Sequence, residues 1–225
     1  MLSTPVVFLA SAALALASPS QIYGPNSSCT VIPKNLYLPF LLTAVVASEL
    51  PTPPRIVTLK HIPLGFGIQN YSCTDVGAIP VPIGAFAVLY DVTNLYPGQD
   101  RSSLTPGEWV SLPSDVLNTG KVPLNRNENG SGLPKSIPYL GHHFFNGAGT
   151  PIFDLDKANQ LLMAKKINAV KAPASAPAGP EGSGAVDWLY LGDAGGSQGV
   201  SIAYRVLTAG GVSHGCKAKG TDSTS

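Results

Sequence analysis

The chain has 225 residues, 12 % of them charged, and a formal net charge of +1. That length supports one well-buried core and demands no second domain. So sparse and balanced a charge offers no basic field for nucleic acid and no acidic field for cations. The 24 Gly and 21 Pro follow no three-residue period, which excludes collagen and points to many turns between short strands.

Residues 6–17 (VVFLASAALALA) form an apolar block that ends in small residues before Ser18-Pro19-Ser20. The block is too short to span a bilayer and Ala15-x-Ala17 fits a signal-peptidase site, although no basic residue lies near the start. Residues 1–17 are therefore expected to be a secretory leader and the protein to be extracellular. Three Asn-x-Ser acceptors, at Asn26, Asn70 and Asn129, suit an exported glycoprotein.

Residues 18–50 read as irregular. Within them residues 36–47 (LYLPFLLTAVVA) are apolar but short and interrupted by Pro39, so no membrane span is expected after the leader. Cys29, Cys73 and Cys216 permit one intramolecular bridge and leave one cysteine over. None lies in a Cys-x-x-Cys or Cys/His cluster, so no metal site is expected.

Strands are predicted at residues 55–62, 66–73, 84–90, 186–191 and 200–207, each short, rich in β-branched or aromatic residues, and bounded by Gly, Pro or Asp. Weaker strand patterns occupy residues 139–145 and 167–170. A short helix is predicted at residues 156–165 (DKANQLLMAK), capped by Asp154 or Asp156. Residues 94–138 and 171–184 are dense in Pro, Gly and small polar residues and read as long surface loops. Residues 217–225 read as a disordered tail. The fold class that follows is all-β: a single-domain antiparallel sandwich or barrel over residues 51–216, with long Pro/Gly-rich loops and at most one or two short helices.

The ordered words Leu64-Gly65-Phe66-Gly67-Ile68-Gln69-Asn70-Tyr71-Ser72-Cys73, Ala87-Val88-Leu89-Tyr90-Asp91, Leu140-Gly141-His142-His143-Phe144, Val186-Asp187-Trp188-Leu189 and residues 204–211 (YRVLTAGG) with Cys216 resemble a fungal secreted family of unknown function. That family has bacterial relatives, and genome annotation often labels it malate dehydrogenase. The resemblance covers roughly residues 50–216 and implies an extracellular β-rich domain with no established reaction. Cys73 and Cys216 fall inside these words and at the ends of predicted strands, whereas Cys29 does not, so a Cys73–Cys216 disulfide is expected. Members of that family carry, beyond the last cysteine, a strand of the type Tyr-x-Ala-x-Tyr-x-Phe. The tail here has no such strand, which predicts an exposed sheet edge.

The dehydrogenase label finds no support in the residues. A nicotinamide enzyme of the doubly wound type needs a Gly-x-Gly-x-x-Gly turn between strand and helix. Gly65-Phe66-Gly67 and Gly182-Ser183-Gly184 both lack the third glycine, so no cofactor is expected. Gly195-Gly196-Ser197-Gln198-Gly199 matches a nucleophile elbow formally, but a strand rather than a helix follows, and a hairpin loop is the expected reading. An oxidative copper enzyme would need an N-terminal histidine, whereas cleavage after Ala17 exposes Ser18.

His142 is the candidate acid-base residue. In a strand His142 and His143 point to opposite faces and cannot share one metal ion. Trp188 and Tyr190 share a strand face and are candidates for stacking on sugar rings or for filling a core. The expected role is a non-catalytic cell-surface, wall or matrix binding module, with an extracellular glycan or wall polymer as partner. The alternative is an extracellular carbohydrate-directed or other hydrolase using His142 and an acidic partner. The first would offer an open aromatic or shallow face, the second a concave pocket with a perturbed acid-base pair.

Overall fold

A computed structural model of the chain describes residues 10–19 (backbone), 50–54, 57–99, 101–119 and 137–224. Among them the strands are β1 (Ala10–Pro19), β2 (Val57–His61), β3 (Pro63–Cys73), β4 (Val81–Asp91), β5 (Tyr139–Phe145), β6 (Pro151–Leu155), β7 (Gln160–Val170), β8 (Trp188–Asp193), β9 (Ile202–Ala209) and β10 (Gly220–Thr224). Among the described residues one α-helix, α1 (Pro106–Thr119), accompanies them. Asn26, Asn129 and Cys29 lie outside the described residues.

From β3 to β9 each strand pairs antiparallel with the next in sequence. β1 then closes the ring. One of its edges pairs with β9, and the other pairs with β3 through Ala10–Ala13 and with β2 through Leu16–Pro19. β2 and β3 are one path broken only at Ile62, so the result is an eight-stranded antiparallel barrel, one of the two architectures the strand pattern allows. The segment read as part of a leader is thus a barrel strand here.

Period-two alternation sends one set of side chains inward and the other outward. The outward set on β3, β4, β8 and β9 (Leu64, Phe66, Val88, Tyr90, Trp188, Ile202, Tyr204, Val206) is apolar because α1 and its flanks cover that wall with Trp109, Leu112, Val116, Leu117, Tyr96 and Ile137. A second core fills one end of the barrel interior with Leu140, Phe153, Leu155, Leu162, Leu191 and Ala203. Where strands approach closely, glycine is required. A Cβ on Gly67 would stand 1.8 Å from the Phe86 carbonyl oxygen, and one on Gly141 2.0 Å from that of Asp154.

Three sequence expectations change. The helix predicted at residues 156–165 is a 3-10 turn, Asp156–Ala158, followed by β7. Asn159 takes the left-handed conformation (φ 51°) that lets β6 turn back into β7, and tertiary pairing overrides the local helical preference. The loop read over residues 94–138 contains α1. Its start carries a capping box: Glu108 Oε2 accepts from the Thr105 N–H at 2.8 Å, and Thr105 Oγ1 accepts from the Glu108 N–H at 3.3 Å. Lastly, within the tail read as disordered, Gly220–Thr224 form β10. It pairs with residues 73 to 69 of β3, on the edge that β1 covers further along.

Candidate functional site

At the end of the barrel opposite its packed interior core lies a chamber of about 510 Å³. Gly65 and Gly67 from β3, with Ala85, Ala87 and Leu89 from β4, form a smooth wall, because inward positions on these strands carry small or aliphatic residues. Phe145, Phe153, Leu189 and Leu191 line the other side. Into this largely apolar space come His143 from β5, Tyr71 and Gln69 from β3, Lys166 from β7, Arg205 from β9, and Lys171 with Asp187 at the ends of β7 and β8.

Arg205 is the central polar group. Its Nε–H and one Nη–H donate to the Asp187 carbonyl at 3.1 and 2.8 Å. Burial lowers its pKa to about 10, against the opposing pull of Tyr71 and Asp187. The side chain keeps part of its surface on the chamber, which is why it is half-buried and yet strongly desolvated. The Asp187 carboxylate itself turns to Lys171, whose Nζ lies 3.1 Å from both its oxygens. Tyr71 donates its hydroxyl to the Gly211 carbonyl at 2.7 Å, and burial raises its pKa. Two residues past Arg205, Leu207 adopts φ 53°, where β9 bulges against β1. Bulges and left-handed non-glycine residues store strain and re-aim strands beside functional sites.

His143 Nδ1 lies 2.9 Å from the Ile152 carbonyl oxygen, so that nitrogen carries the proton. The ring stacks on Phe153 at 4.1 Å. Burial drives its pKa down to about 4. Its ordinary value is about 6.5, so the fold favours the neutral ring, and stability is full above about pH 6.5 and lost progressively toward pH 4, by about 3 kcal/mol. Asp91 adds to this only in stronger acid. Burial pushes its pKa up, but hydrogen bonds from His61 and Thr93 outweigh that and hold it below the ordinary carboxylate value. Urea unfolding of wild type and His143→Gln at pH 7, 5.5 and 4 checks this. The variant is expected to lose most of the decline, and an unchanged decline would assign the acid sensitivity elsewhere.

The residues singled out from sequence lie outside the chamber. Trp188 is buried in the outer core, where its Nε1–H donates to Thr208 Oγ1 at 3.2 Å. Tyr190 is half-buried with its ring 4.9 Å from that of Tyr204. His142 faces outward between Tyr139, whose hydroxyl is 2.9 Å from His142 Nδ1, and the Phe86 ring. Asp154 stands opposite it across β5 and β6. The chamber is formed instead by their strand neighbours His143, Asp187 and Leu189, because a step of one residue reverses the face. A signal for the site was present in β9, where Arg205 is the one charge in an apolar strand.

Of the other marked positions, Ser197 lies in the turn between β8 and β9, hydrogen-bonded to Asp193, so the elbow-like motif is a hairpin loop. Asn70 sits on β3 and its side-chain oxygen accepts from the Ser223 hydroxyl of β10 at 2.7 Å. Cys73 and Cys216 are bonded as a disulfide. His214 bridges Glu181 and Asp222, at 2.9 Å from Nε2 and 3.2 Å from Nδ1. Among the described residues no cluster of His, Cys, Asp and Glu could hold a metal ion.

No curated protein and no solved structure matches the chain. Residues 53–225, from the start of the barrel's continuous run of strands through β10, match the family described as "Protein of unknown function (DUF3455)", and the chain belongs to that family.

Proposed function

We propose that this chain is an extracellular, non-catalytic binding protein whose ligand seat is the chamber inside the barrel. The observation that carries this is the chamber itself: its volume falls in the range of about 300–1,000 Å³ typical of small-molecule sites, and its polar groups converge on an apolar space. The concavity and the depressed pKa of His143 are shared with enzyme sites. Catalysis by proton transfer also needs an acid and a base in mutual reach. Here His143 and Tyr71 hydrogen-bond to backbone carbonyls, and Lys171 pairs with Asp187 at the mouth.

This reading moves the ligand from an open strand face to the interior. A glycan or wall polymer would need an exposed aromatic platform, and Trp188 is 3 % exposed. The hydrolase reading would centre on His142, which faces outward between Tyr139 and Phe86. Extracellular placement is supported by the apolar N-terminal block, the Asn-x-Ser tripeptides and the disulfide, which oxidising compartments favour. Cleavage after Ala17 would remove most of β1, so N-terminal sequencing of exported protein also decides whether the closed barrel is the mature form.

Native mass spectrometry and a thermal-shift screen of the full chain, beside an insoluble-polysaccharide pull-down with product analysis, test the proposal. The expected result is one small molecule per chain, a raised midpoint and no new product. Retention on polymer without any small-molecule shift would overturn the chamber as the seat, and turnover would make the protein an enzyme.

A further inference from the structure

We propose that the chamber binds a small, mainly apolar monocarboxylate, with the Arg205 guanidinium as its counter-ion. The inference rests on the chamber being the ligand seat and names the chemistry that seat recognises.

The charge balance comes first. The lining holds three cations, Lys166, Lys171 and Arg205, against one carboxylate, Asp187. Lys171 and Asp187 pair with each other at the mouth. Among the described residues Arg205 hydrogen-bonds to the backbone carbonyl of Asp187 alone, through Nε and one Nη, with Tyr71 and Asp187 acting on it through space. A guanidinium carries five N–H donors in a planar fork, so donors remain for the chamber side. A desolvated cation whose direct hydrogen bonds reach only a neutral carbonyl, its nearest carboxylate being paired with a lysine, is under-compensated. A carboxylate completes the fork with two parallel charge-assisted bonds.

The shape supports the same ligand. The wall around the cation is aliphatic and smooth, with Gly65, Gly67, Ala85 and Ala87 on one side. Such a wall accepts an apolar body and offers few partners for hydroxyl groups, which disfavours a sugar acid. Neutral His143 and the Tyr71 hydroxyl bring no charge to the chamber interior, Lys171 is paired with Asp187, and Lys166 is an exposed side chain, so Arg205 is the one half-buried cation of the lining, which suits a monoanion better than a phosphate dianion.

The test holds the tail constant and varies the head group. Calorimetric titration of the full chain with decanoate, 1-decanol, decylammonium and decyl phosphate is run on wild type and Arg205→Gln. Wild type is expected to bind one decanoate per chain, about tenfold or more tighter than 1-decanol, as a charge-assisted bond pair implies. Arg205→Gln should remove that preference, bringing decanoate and 1-decanol to comparable affinity. Where the variant does not fold, the Arg205 Nε–H resonance of wild-type protein is followed instead; it should shift with decanoate and stay still with 1-decanol. Equal binding of decanoate and 1-decanol, or an unmoved resonance, would overturn the counter-ion role while leaving the chamber reading intact. Tighter binding of decyl phosphate would overturn the carboxylate assignment. Binding of none of the four would remove the chamber reading and this inference together.

Discussion

Replacing both Cys73 and Cys216 by serine is expected to lower stability by about 5 kcal/mol, the chain-entropy estimate for so long a closed loop. The bridge spans 143 residues, so it restricts most of the barrel in the unfolded chain. A domain of this kind has a total stability of only about 5–15 kcal/mol. At about 2–4 °C per kcal/mol for this size, the midpoint should fall by roughly 10–20 °C. The bond also tethers the segment after β9 to the outer end of β3: the Gly77 N–H donates to the Cys216 carbonyl at 2.7 Å, and Gly211 and Val212 line the chamber. Reduction should therefore weaken ligand binding before the barrel melts. Calorimetric melts with and without a reductant check the first effect. A midpoint unmoved by reduction would show that native contacts alone hold the segment.

The second large effect is expected at Trp188. Truncation to alanine should cost about 3–5 kcal/mol, the range for a large buried aromatic side chain. The ring belongs to the outer core cluster with Tyr204 and Val206 of β9, and its loss also leaves Thr208 Oγ1, itself buried, without the indole donor. Thr208 still donates to the Val186 carbonyl at 2.7 Å, so the threonine is held but under-satisfied. Trp188→Phe keeps most of the packing and should lose about 1 kcal/mol for the missing hydrogen bond. Denaturant titration of the two variants separates packing from hydrogen bonding. Loss of glycan binding at unchanged stability would instead make Trp188 a recognition platform.

Strand positions were legible because their residues alternate between two environments. β3, β4, β8 and β9 all overlap the β-branched and aromatic runs that predict them. β7 was half hidden: Leu161-Leu162-Met163 looks helical by composition, and only pairing with β6 and β8 reveals the alternation of Leu162 inward and Met163 outward. For α1, the Thr105-Pro106-Gly107-Glu108 start was readable, but the surrounding Pro, Gly and Asn masked it. β10 has no apolar pattern at all, since Gly220–Thr224 is held by backbone pairing and by Thr224 Oγ1, which donates to the Gly211 carbonyl at 2.7 Å. Of the chamber, the residue types were visible but their faces were not. His142 and His143, or Trp188 and Asp187, differ by one position, and the bulges in β4, β7 and β9 shift register in ways that a period-two reading does not follow.

The closure of the ring by β1 sets an order of events during synthesis. β1 pairs with residues 202–209, which leave the ribosome long after it. β2 through β8 can add one hairpin at a time as they emerge, each contact local in sequence. The seam beside β1 cannot be completed on both sides until β9 is available, and pairings so distant in sequence are slow to form. For that interval β1 has one edge waiting, an exposed row of amide and carbonyl groups able to recruit a strand from another nascent chain. Factors that bind this N-terminal segment during elongation would therefore govern the yield of folded protein more than its final stability.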